Sequence, residues 1–300
     1  MFVDYRGSVF GLLRWQWRPI TAFAIAATAV VVADRLGWAQ AIEITTLPLA
    51  VVGGAIGIFV SFRTNSGYDR WWEGRKLWGK LVNLSRHFTT QVLSYLPEEE
   101  AATQTRLVHR HIAYVHMLRA MLRDQKPLED EDVLAFLTAE EIDALQGQSN
   151  TTHALLHMQM ATIVDLARRE VIDPLRLQSF DTTIAGLLDV QGGCERIQKT
   201  PFPRGYGFIA DRLILAYGLL LPLGIVQTLG WLTIPLSVLV NVAFTLISEV
   251  GRVLETPFTM FWPALPLSAL SKTIEINLRD RLGEPDLPPL PRPDARGILM

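Results

Sequence analysis

The feature that most constrains this chain is the uneven distribution of its charges. No charged residue occurs in the 36 positions from Leu213 to Ser248, in the 19 from Ile44 to Phe62, or in the 15 from Pro19 to Ala33. Charged residues make up 19% of the chain, against roughly 25% in soluble domains. A bilayer core of about 30 Å needs about 20 apolar helical residues. The chain is therefore predicted to be a membrane protein.

The longest run is too long for a single crossing, because its 36 residues would extend about 54 Å as a helix at about 1.5 Å per residue. Gly230 and Trp231, flanked by Pro222 and Pro235, offer a reversal that divides the run into two helices. The run nearest the N-terminus, from Pro19 to Ala33, has the length of a signal-peptide core. It is followed by Asp34 and not by a cleavage motif of small residues. We therefore predict four membrane helices.

Basic residues predict which side of the membrane each connection faces. Arg35 is the only Lys or Arg in the connections at about residues 34–43 and 227–234. The remaining basic residues near the ends of the runs lie on the opposite side: Arg6, Arg14, Arg18, Arg63, Arg70, Arg75, Lys76, Lys80, Arg204, Arg212 and Arg252. Since cytoplasmic loops carry the excess of Lys and Arg, both termini and the central segment are predicted to be cytoplasmic.

This orientation predicts four segments of chain. They are an N-terminal segment with the first two membrane helices (1–62), a helical cytoplasmic region (63–212), the third and fourth membrane helices (213–248), and a cytoplasmic C-terminal segment with a proline-rich tail (249–300). Leu77, Leu81, Leu84 and Phe88 recur at helical spacing, which predicts that the second membrane helix continues into the cytoplasm. Another helix is predicted from Pro174 to about Gly192, followed by a structural turn at residues 192–193.

The residues give no support for catalysis or for a cofactor. His153 and His157 have the spacing of a zinc protease, but the sequence HALLH lacks the glutamate that would act as base. There is no phosphate loop and no dinucleotide-binding glycine motif, and the single cysteine, Cys194, is interpreted as a small buried hydrophobe. A net charge of −2 does not provide the basic surface of a nucleic-acid binder. We predict no enzyme activity, no cofactor, no metal site and no nucleic-acid partner.

The second membrane helix carries two stripes at a spacing of four residues. Small residues form the first stripe, at Gly53, Gly57 and Ser61, where another helix can approach closely. The second stripe consists of Gly54, Ile58 and Phe62. In an assembly around an axis, the second stripe would form a narrow apolar constriction of the kind that gates by dewetting. On pattern alone, the alternative that Ile58 and Phe62 face lipid or a bundle core is preferred.

Three blocks of sequence resemble the bacterial bestrophin family, and they fall in the family's order. They are FRTNSGYDRWWEGRKLWG (62–79), GGCERIQKTPFPRGY (192–206) and LPLSALSKTIEINLRDRLG (265–283). The first block is the most specific, and its motif residues are Arg63, Asn65, Asp69, Arg70, Trp71, Trp72 and Glu73. The resemblance covers essentially the whole chain. It implies an all-α homopentameric ion channel in a bacterial inner membrane, with one central pore.

The resemblance also implies roles for particular residues. Phe62, Ile58 and Gly54 correspond to the family's hydrophobic neck, although a larger aliphatic residue is usual where this chain has Gly54. A cytoplasmic aperture after an Asp-Pro pair corresponds to Leu175, beside Asp173. The implied partners are other copies of the chain, membrane lipid and permeant monovalent ions. Of the family's acidic calcium cluster this chain keeps only Glu255, and since calcium takes six to eight oxygen ligands, no structural calcium is expected.

Ion selectivity is left open by the neck, because isoleucine and phenylalanine carry no charge. The family resemblance favours chloride, whereas five copies of Asp173 beside the aperture would favour cations. We predict a chloride channel, with a monovalent sodium or potassium channel of the same architecture as the alternative. Another alternative is a membrane anchor for a cytoplasmic partner.

Overall fold

A computed structural model of the protein describes residues 11, 14–37, 46–261, 264–294 and 297–299. Arg6 and residues 38–43 of the first predicted connection lie outside these ranges. The described residues fall into two compact units. The membrane unit comprises those of Tyr5–Trp71 and Pro201–Thr256, and the bundle unit comprises those of Trp72–Thr200 and Pro257–Met300.

The membrane unit contains the apolar helices that the charge-free runs predict. These are α1 (Trp17–Arg35), the first half of α2 (Thr46–Tyr95), α8 (Arg204–Leu229) and α9 (Thr233–Leu254). By length and composition, three stretches are able to cross a membrane, namely Trp17–Arg35, Thr46–Tyr95 and Gly205–Leu254. Helices α1, α8 and α9 pack against one another. A cluster of buried side chains from α1, α2 and α8 forms the core of this unit: Phe23, Leu49, Ile56, Val60, Ala210, Ile214, Tyr217 and Leu221.

The third apolar stretch is divided at the predicted reversal. Helix α8 ends at Leu229, a single 3-10 turn spans Gly230–Leu232, and α9 begins at Thr233. Gly230 has φ of +52°, in the left-handed region that glycine enters without a steric penalty. Pro222 does not contribute to this reversal, because it lies inside α8.

The bundle unit is built from the second half of α2 and the polar helices of the chain. These are α3 (Ala101–Leu122), α4 (Glu131–Leu134), α5 (Ala139–Leu145), α6 (Thr151–Arg168), α7 (Pro174–Lys199) and α10 (Leu267–Arg281), with 3-10 turns at Glu98–Glu100 and Pro127–Glu129. Helix α2 is 50 residues long, which corresponds to about 75 Å. The prediction that the second membrane helix continues well beyond the apolar run is therefore confirmed.

Helix α2 packs against α7 in an antiparallel arrangement. Gln91 donates a hydrogen bond to Ser179 Oγ at 2.9 Å, Leu84 contacts Gly186, and Leu77 contacts Gly193. These contacts are seven residues apart on each helix, which is about two helical turns. Because the residue numbers fall along α2 while they rise along α7, the two helices are antiparallel.

The predicted turn at residues 192–193 is wrong, because α7 continues through them to Lys199. A Cβ on Gly193 would lie 2.9 Å from Leu77 Cδ2, so this glycine permits close helix packing and does not end a helix. The neighbouring Cys194 is buried, as the sequence predicts, and burial raises the pKa of its thiol to about 12.

Buried and partly buried ion pairs connect α3 to α10 and to the start of α4. His116 Nε2 lies 2.9 Å from Glu275 Oε2, and Lys272 bridges Glu275 at 2.8 Å and Asp132 at 3.2 Å. Burial alone would raise the pKa of Asp132, but hydrogen bonds from Arg119 and Lys272 and the nearby His116 lower it to about 2. Burial would also raise the pKa of Glu275, but hydrogen bonds from His116 and Lys272 lower it below its ordinary value.

Candidate functional site

The two predicted stripes of α2 have different environments within the protomer. Gly53 is buried, and a Cβ there would lie 2.7 Å from Tyr217 Oη on α8. A Cβ on Gly57 would lie 3.6 Å from Phe244 on α9, an ordinary packing distance. Ser61 is exposed in the protomer, so its predicted role in helix packing remains a prediction about contacts with another protomer. The first two positions of this stripe lie against neighbouring helices of the membrane unit.

The second stripe is exposed along its length. Ile58 and Phe62 are each 62% exposed, and a Cβ on Gly54 would have no atom of the described residues within 4 Å. Large apolar side chains therefore project from α2 on a different side from the buried residues Gly53, Ile56 and Val60. An apolar helix face that contacts nothing within the protomer is unfavourable in water, so lipid or another protein chain is expected to cover it.

Arg63, the first residue of the family motif, is buried at the polar end of this segment, with 4% of its surface exposed. Its Nε donates to Glu255 Oε1 at 2.8 Å and its Nη1 donates to Ser248 Oγ at 3.0 Å. Asp211 Oδ1 lies 3.6 Å from Nη1, and Gly207 leaves room for the guanidinium, since a Cβ there would lie 2.8 Å from Nη2. Because a buried charge is stable only when paired and hydrogen-bonded, these contacts hold α2 to α8 and α9.

Two further contacts hold α2 against the end of α9. A Cβ on Gly67 would lie 2.8 Å from the carbonyl oxygen of Gly251, so the two backbones approach closely. Arg70 Nε donates to the carbonyl oxygen of Glu255 at 3.0 Å. Both the carboxylate and the carbonyl of Glu255 therefore accept hydrogen bonds from arginines of the motif.

The other motif residues lie on different sides of α2. Asn65 and Asp69 are exposed, and Trp71 stacks with Tyr68 at a ring separation of 6.2 Å. Trp72 is partly exposed, and Glu73 forms an ion pair with Arg196 of α7 within the bundle unit. The motif thus combines internal contacts at Arg63, Arg70 and Glu73 with exposed positions between them.

The predicted aperture lies at the start of α7. Leu175 is 79% exposed, and Asp173 caps the helix, with its Oδ1 accepting from the Arg176 N–H at 2.9 Å. The second oxygen of Asp173 lies 3.3 Å from Arg176 Nε. The Asp173 carboxylate is therefore accompanied by a positive charge three residues away, which the sequence analysis did not take into account.

The partners of Arg63 are also residues that the sequence analysis missed. Glu255 is 192 residues away from Arg63 in the chain, and no local spacing connects them. One signal was present, because Arg63 and its partner Asp211 both lie close to the ends of charge-free runs. Charges that border neighbouring membrane helices on the same side lie at similar depth, where they can pair.

No cluster of three or more His, Cys, Asp and Glu side chains suited to a metal ion occurs among the residues that the structure describes. His153 and His157 are exposed on α6, and His109 Nε2 lies 2.6 Å from Glu284 Oε1. Trp262 and Pro263, in the stretch after Glu255, lie outside the described residues.

Taken together, these features define an all-helical membrane protein with long apolar helices and a separate polar helical bundle. Residues 1–280 match the family model described as bacterial/fungal bestrophin protein. The crystal structure of a bacterial bestrophin homologue from Klebsiella pneumoniae matches with a TM-score of 0.85 at 28% identity, over 89% of this chain and 98% of that chain.

Curated relatives agree with this match over nearly the whole chain. A voltage-dependent anion channel-forming protein of Ralstonia nicotianae is 33% identical over 289 residues, covering 96% of this chain and 92% of the relative. One of Mesorhizobium japonicum is 31% identical over 284 residues, covering 95% and 89%. The chain therefore belongs to the bacterial and fungal bestrophin family. Membership of this family, whose relatives named above are channel-forming proteins, confirms the prediction that the chain is not an enzyme.

Proposed function

We propose that this chain is the protomer of a homopentameric anion channel, with chloride as the favoured ion and a single pore on the fivefold axis. Family membership supports channel formation, and the names of the Ralstonia and Mesorhizobium relatives support anions as the permeant species. In this proposal the partners of each chain are four further copies, the surrounding lipid and the ions that pass.

The observation that carries the proposal is the exposure of Ile58 and Phe62 on α2. Both side chains are 62% exposed in the protomer, while Gly53 on the adjacent stripe is buried. Beyond Phe62 the same exposed side of α2 carries Asn65 and Asp69, polar residues that suit water better than lipid. We assign this side of the helix to the axis of the assembly, where Ile58 and Phe62 form two apolar rings.

Such rings would gate the channel by dewetting, since a narrow apolar constriction excludes water until it widens. Gly54 lies one turn before Ile58 and has open space around its Cα. In the proposed pore the neck is therefore wide at Gly54 and narrow at Ile58 and Phe62. The span from Gly54 to Phe62 is eight residues, or about 12 Å along the helix.

The second constriction in this proposal is formed by Leu175, the exposed residue next to the start of α7. Asp173 beside it is paired with Arg176, so five protomers contribute five carboxylates and five guanidiniums. Their charges cancel to first order, which removes the reason to favour cations at this position. Asp173 therefore no longer counts in favour of the cation alternative, and the names of the relatives support the choice of anions.

The proposed topology has four membrane crossings, with α8 and α9 as the third and fourth, and both termini in the cytoplasm of a bacterial inner membrane. The predicted segments 1–62, 63–212, 213–248 and 249–300 belong to this proposal. We also propose that no calcium binds at Glu255, because Arg63 and Arg70 already supply positive charge to its oxygens.

The test is the reversal potential of the purified protein in planar bilayers under a KCl gradient. The variant carries Ile58→Ala and Phe62→Ala, which should widen and hydrate the neck and give a larger current. The matched control carries Ile25→Ala and Leu219→Ala, which shorten exposed apolar side chains of α1 and α8. Native mass spectrometry should give five times the chain mass of 33.6 kDa.

A chloride reversal potential with an increased current only in the neck variant is the expected result. A potassium reversal potential would replace the anion channel with the cation alternative. If both variants conduct like the unmodified protein, the neck does not lie at Ile58 and Phe62. A folded pentamer without current would favour the membrane anchor.

A further inference from the structure

A cavity in the bundle unit has features that the proposed channel does not use. It has a volume of about 440 Å³ and lies between α2, α10 and the segment after α10. Small-molecule sites in proteins usually occupy about 300–1,000 Å³. Basic and polar side chains line one part of it: Arg86, Thr89, Thr90, Asn277 and Arg281. Ile276, Leu278 and Leu287 line another part.

The arginines of the cavity are suited to an oxyanion. Arg86 is fixed by hydrogen bonds from Nε and Nη2 to Asn277 Oδ1, at 3.0 and 2.6 Å. Arg281 is exposed, and it forms no ion pair or side-chain hydrogen bond with any residue that the structure describes. Arginine binds phosphate and carboxylate groups through paired N–H donors. One arginine is thus held in place and the other has its donors available.

Thr89 gives an independent indication of a ligand. Its side chain lines the cavity although the residue is only 1% exposed, and its Oγ1 has no hydrogen-bond partner among the described residues. A buried hydroxyl without a partner is unfavourable, and a bound group in the cavity would satisfy it. The neighbouring Thr90 adds a second hydroxyl at the edge of the cavity.

Asp280 restricts which anion fits. It also lines the cavity. Together with Arg86 and Arg281, it gives the lining residues a net charge of one positive unit. A carboxylate repels a second anionic group but accepts hydrogen bonds from hydroxyl groups. We propose that this cavity binds a small phosphomonoester that carries hydroxyl groups. Its phosphate lies between Arg86, Arg281 and Thr89, its hydroxyl groups donate to Asp280, and its carbon atoms contact the apolar part.

The test is isothermal titration of the full-length protein with glycerol 3-phosphate, inorganic phosphate and glycerol. The protein is held in nanodiscs of phosphatidylcholine alone, so that no lipid offers a phosphomonoester. We expect the unmodified protein to bind glycerol 3-phosphate more tightly than phosphate and not to bind glycerol. The Arg281→Gln variant should bind glycerol 3-phosphate about 10- to 100-fold more weakly, because a charge-assisted contact is lost.

Arg168→Gln is the matched control, because Arg168 is also an exposed arginine in the last turn of a bundle helix. It should leave the affinity unchanged. Thr89→Val should weaken binding without lowering the melting temperature, because the hydroxyl it removes has no partner. Asp280→Asn should remove the preference for glycerol 3-phosphate over inorganic phosphate.

Three results would overturn the proposal: no binding of glycerol 3-phosphate, equal loss of affinity in the Arg281 and Arg168 variants, or equal affinity for glycerol 3-phosphate and inorganic phosphate. Binding is measured without current, so this outcome does not depend on whether the chain conducts ions.

Discussion

Gly53 and Gly54 are neighbours on α2 whose substitution by alanine should have opposite effects on stability. A Cβ at Gly53 would lie 2.7 Å from Tyr217 Oη and 3.0 Å from its Cζ, whereas a Cβ at Gly54 would have no described atom within 4 Å. Both substitutions gain the same helix propensity, worth about 1 kcal/mol. The difference between the two variants therefore measures the contact with Tyr217.

The size of that difference follows from how Tyr217 is held. Its ring is buried and packs edge-on against Phe244, with ring centroids 5.7 Å apart, so it does not move aside freely. Overpacking of this kind costs about 1–3 kcal/mol. We expect Gly54→Ala to stabilise the protein by up to about 1 kcal/mol, and Gly53→Ala to be less stable than Gly54→Ala by about 1–3 kcal/mol.

The assay is thermal unfolding of the purified protein in detergent, followed by tryptophan fluorescence. At about 2–4 °C for each kcal/mol, the two variants should melt at clearly different temperatures. Tyr217→Phe removes the nearest atom, so in that background Gly53→Ala should recover part of its loss. Equal melting temperatures for the two alanine variants, or no recovery with Tyr217→Phe, would refute the packing assignment of Gly53.

Three further predictions concern charged residues. Arg63→Gln should destabilise the protein by about 3–5 kcal/mol, because it leaves a carboxylate unpaired, and Glu255→Gln in the same variant should restore part of the melting temperature. Asp173→Asn leaves the guanidinium of Arg176 unpaired and should move the reversal potential further toward that of chloride. Arg176→Gln should move it toward that of potassium. Identical reversal potentials for the two variants would exclude these residues from the pore. The folded-state pKa of Asp132 is about 2 against an ordinary 3.8, so its contribution to stability is present above about pH 4 and is lost as the pH falls toward 2. A melting-temperature series over this range should flatten in Asp132→Asn, and an unchanged slope would contradict the role of this ion pair.

Much of the fold could be predicted because it depends on periodicity and on runs of charge. The continuous α2 helix follows from Leu77, Leu81, Leu84 and Phe88, whose helical spacing needs no knowledge of a partner. The reversal at Gly230 follows from the excessive length of the charge-free run. In each case the deciding information lies within a few turns of chain.

Other features depend on which residues meet in space, and these could not be predicted. The spacing around Gly193 does not reveal that Leu77 packs against it, so the sequence alone predicts a turn at Gly192 and Gly193. Likewise, the ion pair of Arg63 with Glu255 joins residues 192 positions apart. The pairing of Asp173 with Arg176 was accessible in principle, since an aspartate before a helix and a basic residue three positions later is a local pattern.

The two units hold α2 by similar contacts with the roles of the helices exchanged. In the apolar part of the membrane unit, the glycines lie on α2 at Gly53 and Gly57, and the large side chains that contact them belong to α8 and α9. In the bundle unit between Leu77 and Gln91, the large side chains lie on α2, and the glycines that accept them, Gly186 and Gly193, lie on α7.

This exchange is consistent with the proposed role of the membrane half of α2. Lipid gives no hydrophobic driving force for helix association, so close backbone approach through small residues is favoured there. Glycines on its packed stripe let α2 lie close to its neighbours, while Ile58 and Phe62 supply the bulk on its exposed side. Placing large residues on the packed stripe would push α2 outward from its neighbours and, in the proposed pentamer, narrow the pore without any change in Ile58 or Phe62. The Gly53→Ala variant consequently tests the neck as well as the packing, because a conducting channel should lose current together with stability.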